Sequence, residues 1–196
     1  MPWRNGGGTT TELLVEPGAS GREGLGGREG ANERFLYRLS IADVACDGPF
    51  SRFEGYDRHI MLLSGRGMTL DAGPHGRIDL TTPLEPRSFS GDWDVNGVLV
   101  GGAVRDFNLI VDRSRARASL SVRRLVAEAE VVAVPSGSTC IVHVLEGMLT
   151  DASTHETLVL DATHELVPHG AACVALALIT PLRTHEREGA AADEQS

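Results

Sequence analysis

The chain has 196 residues, 41% of them apolar and 23% charged, a balance that suits one large or two small fused globular domains and excludes global disorder. Its net charge of -9 disfavours a dedicated nucleic-acid binder, because phosphate neutralisation needs a basic patch; the nearest candidates are Arg123-Arg124 and the series Arg113, Arg115 and Arg117, and the alternation of those three reads as a solvated face. No apolar run reaches the roughly 18 to 20 residues that span a bilayer, and no basic segment followed by an apolar one opens the sequence, so the chain reads as cytoplasmic, with no membrane partner.

In chain order, the first element is the turn Asn5-Gly6-Gly7-Gly8-Thr9, followed by a strand at residues 12–15. Consecutive glycines let backbone amides converge on an anion, but neither a helix nor a lysine follows, which disfavours nucleotide binding. The turn is either purely structural or carries Asn5 and Thr9 toward a cavity with Trp3 as its apolar wall. Residues 16–34 are rich in Gly, Glu and Arg without apolar periodicity and read as a long flexible loop.

Apolar runs of strand length then recur at residues 35–44, 60–63, 68–70, 77–80, 95–100, 107–111 and 120–127. They continue at 131–134, 139–145, 157–160 and 171–179, punctuated by Gly, Pro, Asp and Ser. Only residues 126–131 carry a weak helical pattern, so the fold class is mostly β. Pro135-Ser136-Gly137-Ser138, Leu145-Glu146-Gly147 and Val167-Pro168-His169-Gly170 mark corners in the manner of a small jelly-roll barrel. Met61-Leu62-Leu63-Ser64-Gly65-Arg66-Gly67 echoes the stretch ending at Gly147, which implies two barrels: an N-terminal one at 1–113, a C-terminal one at 114–185, and a small, acidic, flexible tail at 186–196.

The chemistry is narrowed by what the chain lacks. All 18 side chains counted as Lys or Arg are arginine, which removes Schiff-base lysines, a phosphate-loop lysine and a lysine general base; anions must be held by arginine or backbone amides. Cys46, Cys140 and Cys173 have no paired spacing and read as small buried apolar residues. The barrel-like stretches contribute only His59 and His143, so no cluster of three or four metal ligands is expected, and no cofactor. Neither a Gly-x-Ser-x-Gly elbow nor a His-Glu-x-x-His helix occurs.

Alternation along residues 35–44 puts Phe35, Tyr37, Leu39 and Ile41 on one face as core and Leu36, Arg38, Ser40 and Ala42 on the other. That second face is either solvated or lines a cavity, and in a cavity Arg38 must meet an anion such as Asp57 or a bound acid. Arg58, at the start of the strand containing Ile60 and Leu62, is the first choice for a carboxylate clamp and Arg38 the second. The competing reading is an internal Asp57-to-arginine pair with no ligand. His59 is either a proton carrier beside Asp57 or a hydrogen-bonded strand histidine. Asn108, in Asp106-Phe107-Asn108, offers a donor and an acceptor together.

Pro2-Trp3-Arg4-Asn5-Gly6-Gly7-Gly8-Thr9-Thr10, Arg38-Leu39-Ser40-Ile41-Ala42, Asp47-Gly48-Pro49-Phe50-Ser51, Gly55-Tyr56-Asp57-Arg58 and Arg105-Asp106-Phe107-Asn108 occur in the order that marks the HutD/Ves family, which the chain resembles over residues 2–113. The resemblance implies a bicupin, two jelly-roll-type β-barrels packed side by side, associated with bacterial histidine utilisation and without an established catalytic activity. Cupins commonly dimerise, so a homodimer is a further expectation. The implied function is metal-free binding of a small carboxylate of histidine degradation, such as formylglutamate or formiminoglutamate, by a sensor or modulator. Its expected site is Arg58, Arg38, Ser40, Asn5, Trp3, Thr9, Asp57 and Asn108. Two alternatives stand beside it: an enzyme using Asp57 and His59 as an acid-base pair in the same pocket, and a protein-interaction module.

Overall fold

Short runs of β-branched and aromatic residues bounded by Gly, Pro and Asp pair into antiparallel ladders, because each strand buries one face and its neighbours satisfy its backbone. The computed structural model describes residues 1–3, 6–18 and 34–182, and the chain divides into two units, one of Met1–Arg115 and one beginning at Ala116.

The first unit contains β1 (Gly8–Pro17), β2 (Phe35–Val44), β3 (Gly48–Pro49), β4 (Tyr56–Ser64), β5 (Met68–Asp71), β6 (Arg77–Leu80), β7 (Arg87–Ser90), β8 (Asn96–Leu99) and β9 (Val104–Asp112). They form a five-stranded sheet, β1-β2-β9-β4-β7, and a four-stranded sheet, β3-β8-β5-β6. Ala42, Val44, Ile60, Leu62, Phe89 and Val104 from the first sheet meet Met68, Leu70 and Leu80 from the second in one buried cluster. The two sheets therefore face each other across a shared interior. This interior takes the Ala42 face of β2, so that face turns inward, while Tyr37 and Leu39 on the opposite face are also buried.

The second unit contains β10 (Ala116–Val126), β11 (Glu130–Val132), β12 (Thr139–Glu146), β13 (Thr157–Leu160), β14 (His164–Leu166) and β15 (Ala171–Pro181), in sheets ordered β10-β15-β12-β13 and β11-β14. The helical pattern at 126–131 is not realised: Val126 ends β10 and Glu130 opens β11, since cross-strand pairing with β15 and β14 supplies the backbone partners a helix turn would have to make itself. Glu16 and Pro17 close β1 rather than opening a loop, and Gly18 N donates to Arg34 O at 2.8 Å. The rest of the expected loop, residues 19–33, lies outside the described residues, as does the tail at 186–196. Cys140 and Cys173 are buried as expected, but Cys46 is exposed, in the bend after β2. No helix among the described residues is long and apolar enough to cross a membrane.

The echo read between residues 61–67 and 144–147 has a structural basis. The ladder between β4 and β9 slips at Leu62/Ser64, and that between β12 and β15 slips at Val144/Glu146; each bulge is followed by a glycine with positive φ, Gly65 at 104° and Gly147 at 85°. A Cβ on Gly147 would lie 2.3 Å from the Ala171 carbonyl oxygen, a contact that backbone must move to relieve. Gly147→Ala is therefore expected to cost about 2 kcal/mol or more, combining the left-handed conformation with the clash, and urea unfolding would measure it.

His143 leaves β12 on the side opposite Cys140, Val142 and Val144, is 1% exposed, and shares a 2.8 Å hydrogen bond between Nδ1 and Thr157 Oγ1. Burial, and secondarily His155, push its pKa down to about 4. A native histidine with a depressed pKa supports the fold fully above its unfolded pKa and loses that support as pH falls toward the folded value. Between pH 7 and pH 5 the loss is about 2 kcal/mol, so His143→Gln should flatten the acid side of the stability profile.

Candidate functional site

Arg58 lies in the interior of the first unit. Its position on β4 follows from alternation with Ile60 and Leu62, both wholly buried, and it is itself only 5% exposed. Cross-strand register places Arg38 of β2 and Arg58 on either side of Ile110 of β9, and Ser40 beside Asn108. One sheet face thus gathers two arginines, a serine, an asparagine and, one pair further along, Asp106 opposite Ala42 and Leu62.

The guanidinium of Arg58 is enclosed by three phenylalanine rings, with Cζ 5.0 Å from the centroid of Phe89, 5.3 Å from Phe50 and 5.5 Å from Phe53. Nη1 donates to Ser51 O at 3.2 Å and Nη2 to Asn108 Oδ1 at 2.9 Å, while Asn108 Nδ2 donates to Asp106 Oδ1. Asn108 is thus a bridge between a buried cation and a buried carboxyl. Arg58 Nε and Asp106 Oδ2 have no hydrogen-bond partner among the described residues. Burial lowers the Arg58 pKa to about 10 against the opposing pull of Asp106, so the group stays charged at neutral pH. Burial likewise raises Asp106 to about 7 despite Arg58 and Asn108.

A cavity of about 430 Å³ opens over this face, lined by Trp3, Arg38, Ser40, Phe50, Arg58 and Asn108 among others. Arg38 stands nearer the mouth, its side chain 21% exposed, with Nε 3.1 Å from Glu12 Oε2. Trp3 forms a wall: Gly8 approaches so close to β2 that a Cβ there would lie 2.3 Å from Asp43 O, and this tight turn brings Trp3 N to Gly8 O at 2.9 Å and Trp3 Nε1 to Thr10 Oγ1 at 2.8 Å.

Several expected residues fall elsewhere. Thr9 is exposed, and Thr10 lines the cavity instead, because the phase of β1 is fixed by its pairing with β2. Asp57 and His59 project from the face of β4 opposite Arg58, so the acid-base pair does not share the cavity. Asp57 meets Arg113, at 3.1 Å, rather than Arg38 or Arg58. His59 is a hydrogen-bonded strand histidine, Nδ1 2.7 Å from Ser88 Oγ, with its pKa lowered by burial. Asn5 lies outside the described residues. Asp106 was legible, since alternation through Asp106-Phe107-Asn108 puts it on the face of Asn108. Arg113 carried no local signal and is not part of a solvated face: it also contacts Asp92, Ser90 Oγ and Tyr56 O.

The second unit lacks this arrangement. With the units matched on their bulges, Leu62 opposite Asp106 corresponds to Val144 opposite Val174, which puts Cys140 at the position of Arg58, Val174 at that of Asp106 and Leu176 at that of Asn108. All three join the apolar cluster of the second unit. Among the described residues no group of three or more His, Cys, Asp or Glu side chains could hold a metal ion.

These features define a mostly β protein of paired antiparallel sheets, the first of whose units carries a charged cavity while the matched positions of the second are apolar. The chain belongs to the HutD family, whose sequence model matches residues 1–184. It is 41% identical over 145 residues, covering 71% of this chain and 69% of the other, to a Pseudomonas putida protein described as an uncharacterized 21.2 kDa protein in the hutC 3' region. Among solved structures, a conserved protein of unknown function from Pseudomonas aeruginosa PAO1 is 31% identical, with a TM-score of 0.72 and coverage of 93% of this chain and 94% of that one. HutD from Pseudomonas fluorescens SBW25, solved in a formate condition, is 30% identical with a TM-score of 0.70 and the same coverages.

Proposed function

We propose that the chain binds a small carboxylate of histidine degradation in the cavity of its first unit and acts as a sensor or modulator of histidine utilisation, within a bicupin framework of two jelly-roll barrels. The carrying observation is Arg58: a charged guanidinium, buried and caged by aromatic rings, with Nε unanswered by any described residue and a cavity in front of it. Burying an arginine in this way is costly unless its donors meet an anion, and a carboxylate answers two N–H groups in one plane. Family membership and the hutC neighbourhood of the P. putida relative supply the metabolic context.

A diacid such as formylglutamate or formiminoglutamate suits the site best, because Arg58 at the floor and Arg38 near the mouth offer two positive groups at different depths. The enzyme reading loses its support with Asp57 and His59 on the other face of β4. The test is a thermal-shift panel of urocanate, imidazolone propionate, formiminoglutamate and formylglutamate. Saturation at about a hundred times the dissociation constant adds about 2.7 kcal/mol, a rise in midpoint of roughly 5 to 10 °C for a chain of this size. If none of the four moves the midpoint, the proposal is wrong.

A further inference from the structure

We propose that the cavity takes up its acid together with a proton, and that Asp106 is the group that receives it. This rests on the carboxylate-binding reading of the same cavity and adds to it a second, titrating component behind the floor.

Asp106 is fully buried, yet its nearest cation is kept at one remove. No ion pair within 4 Å joins Asp106 to Arg58; the amide of Asn108 stands between them, accepting from Arg58 and donating to Asp106 Oδ1. The other carboxyl oxygen, Oδ2, has no partner among the described residues. A carboxylate held this way is stabilised by one neutral hydrogen bond and a distant guanidinium, which is little against the cost of desolvating the charge. Its raised pKa, about 7, expresses the same balance.

The charged surroundings of Asp106 are few. Arg58 on β4 favours its ionised form, and Asp43 on β2, itself paired with Arg105 at 2.7 Å, opposes it. Arg38 acts on Arg58 and is engaged by Glu12. The cross-strand neighbours of Asp106, Ala42 and Leu62, are apolar, as are Met68, Leu70, Ala72 and Leu80, which the facing sheet and the residue after β5 send into the interior. Among the described residues no histidine lines the cavity.

An acid seated on Arg58 brings a second negative charge into this low-dielectric space and partly neutralises the cation that kept Asp106 ionised. Both effects raise the proton affinity of Asp106, so ligand and proton bind cooperatively and reciprocally. Below the pKa of the empty site Asp106 is already neutral and binding is independent of pH. Above it, each ligand carries in a proton, and affinity falls about tenfold per pH unit until the pKa of the occupied site is passed. The consequence is a site that discriminates by charge: it accepts one anion at the floor and excludes a second charge there by making Asp106 protonate first.

The experiment is calorimetric titration of the full chain with N-formyl-L-glutamate, whose carboxyl groups stay ionised throughout, at pH 6, 7 and 8 in two buffers of different ionisation enthalpy. The expected result is close to no proton uptake at pH 6 and a value approaching one proton per ligand at pH 8, with affinity lower by about fivefold at pH 8 than at pH 7, because half of the empty sites are already deprotonated at pH 7. Asp106→Asn should bind with no uptake and a flat profile from pH 6 to 8. Binding without uptake at pH 8 overturns the proton coupling and leaves the carboxylate reading standing. An absence of binding by this acid and by the other three pathway acids overturns both. Should Asp106→Asn fail to fold, carbon-13 carboxyl titration of the wild-type chain decides: a midpoint for Asp106 in the ordinary range near 4 rejects the inference.

Discussion

Replacing Arg58 with methionine should lower affinity for a small carboxylate by about a hundredfold or more and remove the thermal shift that the wild-type chain shows. Two charge-assisted hydrogen bonds, each contributing about 1.5 to 3 kcal/mol, are lost together, and methionine offers no donor in their place. Methionine is the informative choice because it keeps an unbranched side chain between Phe50, Phe53 and Phe89, where alanine would leave a void beneath the cavity. Arg58→Lys should recover little, since a compact ammonium cannot present the planar pair of N–H groups or lie flat among the rings. A full thermal shift in the methionine variant would place the ligand elsewhere. Arg38→Ala, at the mouth, should weaken binding without abolishing it.

Arg113→Ala should destabilise the first unit by about 3 kcal/mol, because it removes several interactions from one partly buried guanidinium and strands a carboxylate. Arg113 Nε lies 3.1 Å from Asp57 and Nη2 2.7 Å from Ser90 Oγ, and the group also reaches Asp92 and Tyr56 O. Asp92 in turn accepts from Gly55 N at 2.7 Å and from Ser90 Oγ at 2.9 Å. Although burial acts against it, these bonds from Gly55, Arg113 and Ser90 hold the Asp92 carboxyl below its usual pKa. A carboxylate with a depressed native pKa contributes stability fully above its unfolded value, so the difference between variant and wild type should be complete at pH 7 and shrink below about pH 4.

The same substitution should reach the cavity. Phe53 N donates to Gly91 O and Gly91 N to Tyr56 O, both at 2.8 Å, so the segment that carries one wall of the Arg58 cage is anchored where Arg113 binds. Weaker carboxylate binding at equal occupancy of folded protein would separate this effect from simple unfolding, and urea titration beside calorimetry measures both.

What residue order determined by itself is what has a local cause. The strands at 35–44 and 77–80 carry their own alternation, turn residues bound the rest, and the bulge with its left-handed glycine marks corresponding points of the two units. Period-two alternation also placed Arg38 and Ser40 on one face and offered the cavity as one of two outcomes. The strand at Arg87–Ser90 escaped because Phe89 is its only apolar residue. Tertiary structure decided the remainder: adjacent charges such as Asp57 and Arg58 point to opposite faces of a strand, so closeness in sequence misled about partnership. Arg113 finds Asp57, Asp92 and Ser90 21 to 56 residues away, and Arg58 finds Asn108 50 residues away. Whether an arginine is solvated or buried depends on which sheet closes over it, and that closure comes from strands distant in the chain, which no local pattern encodes.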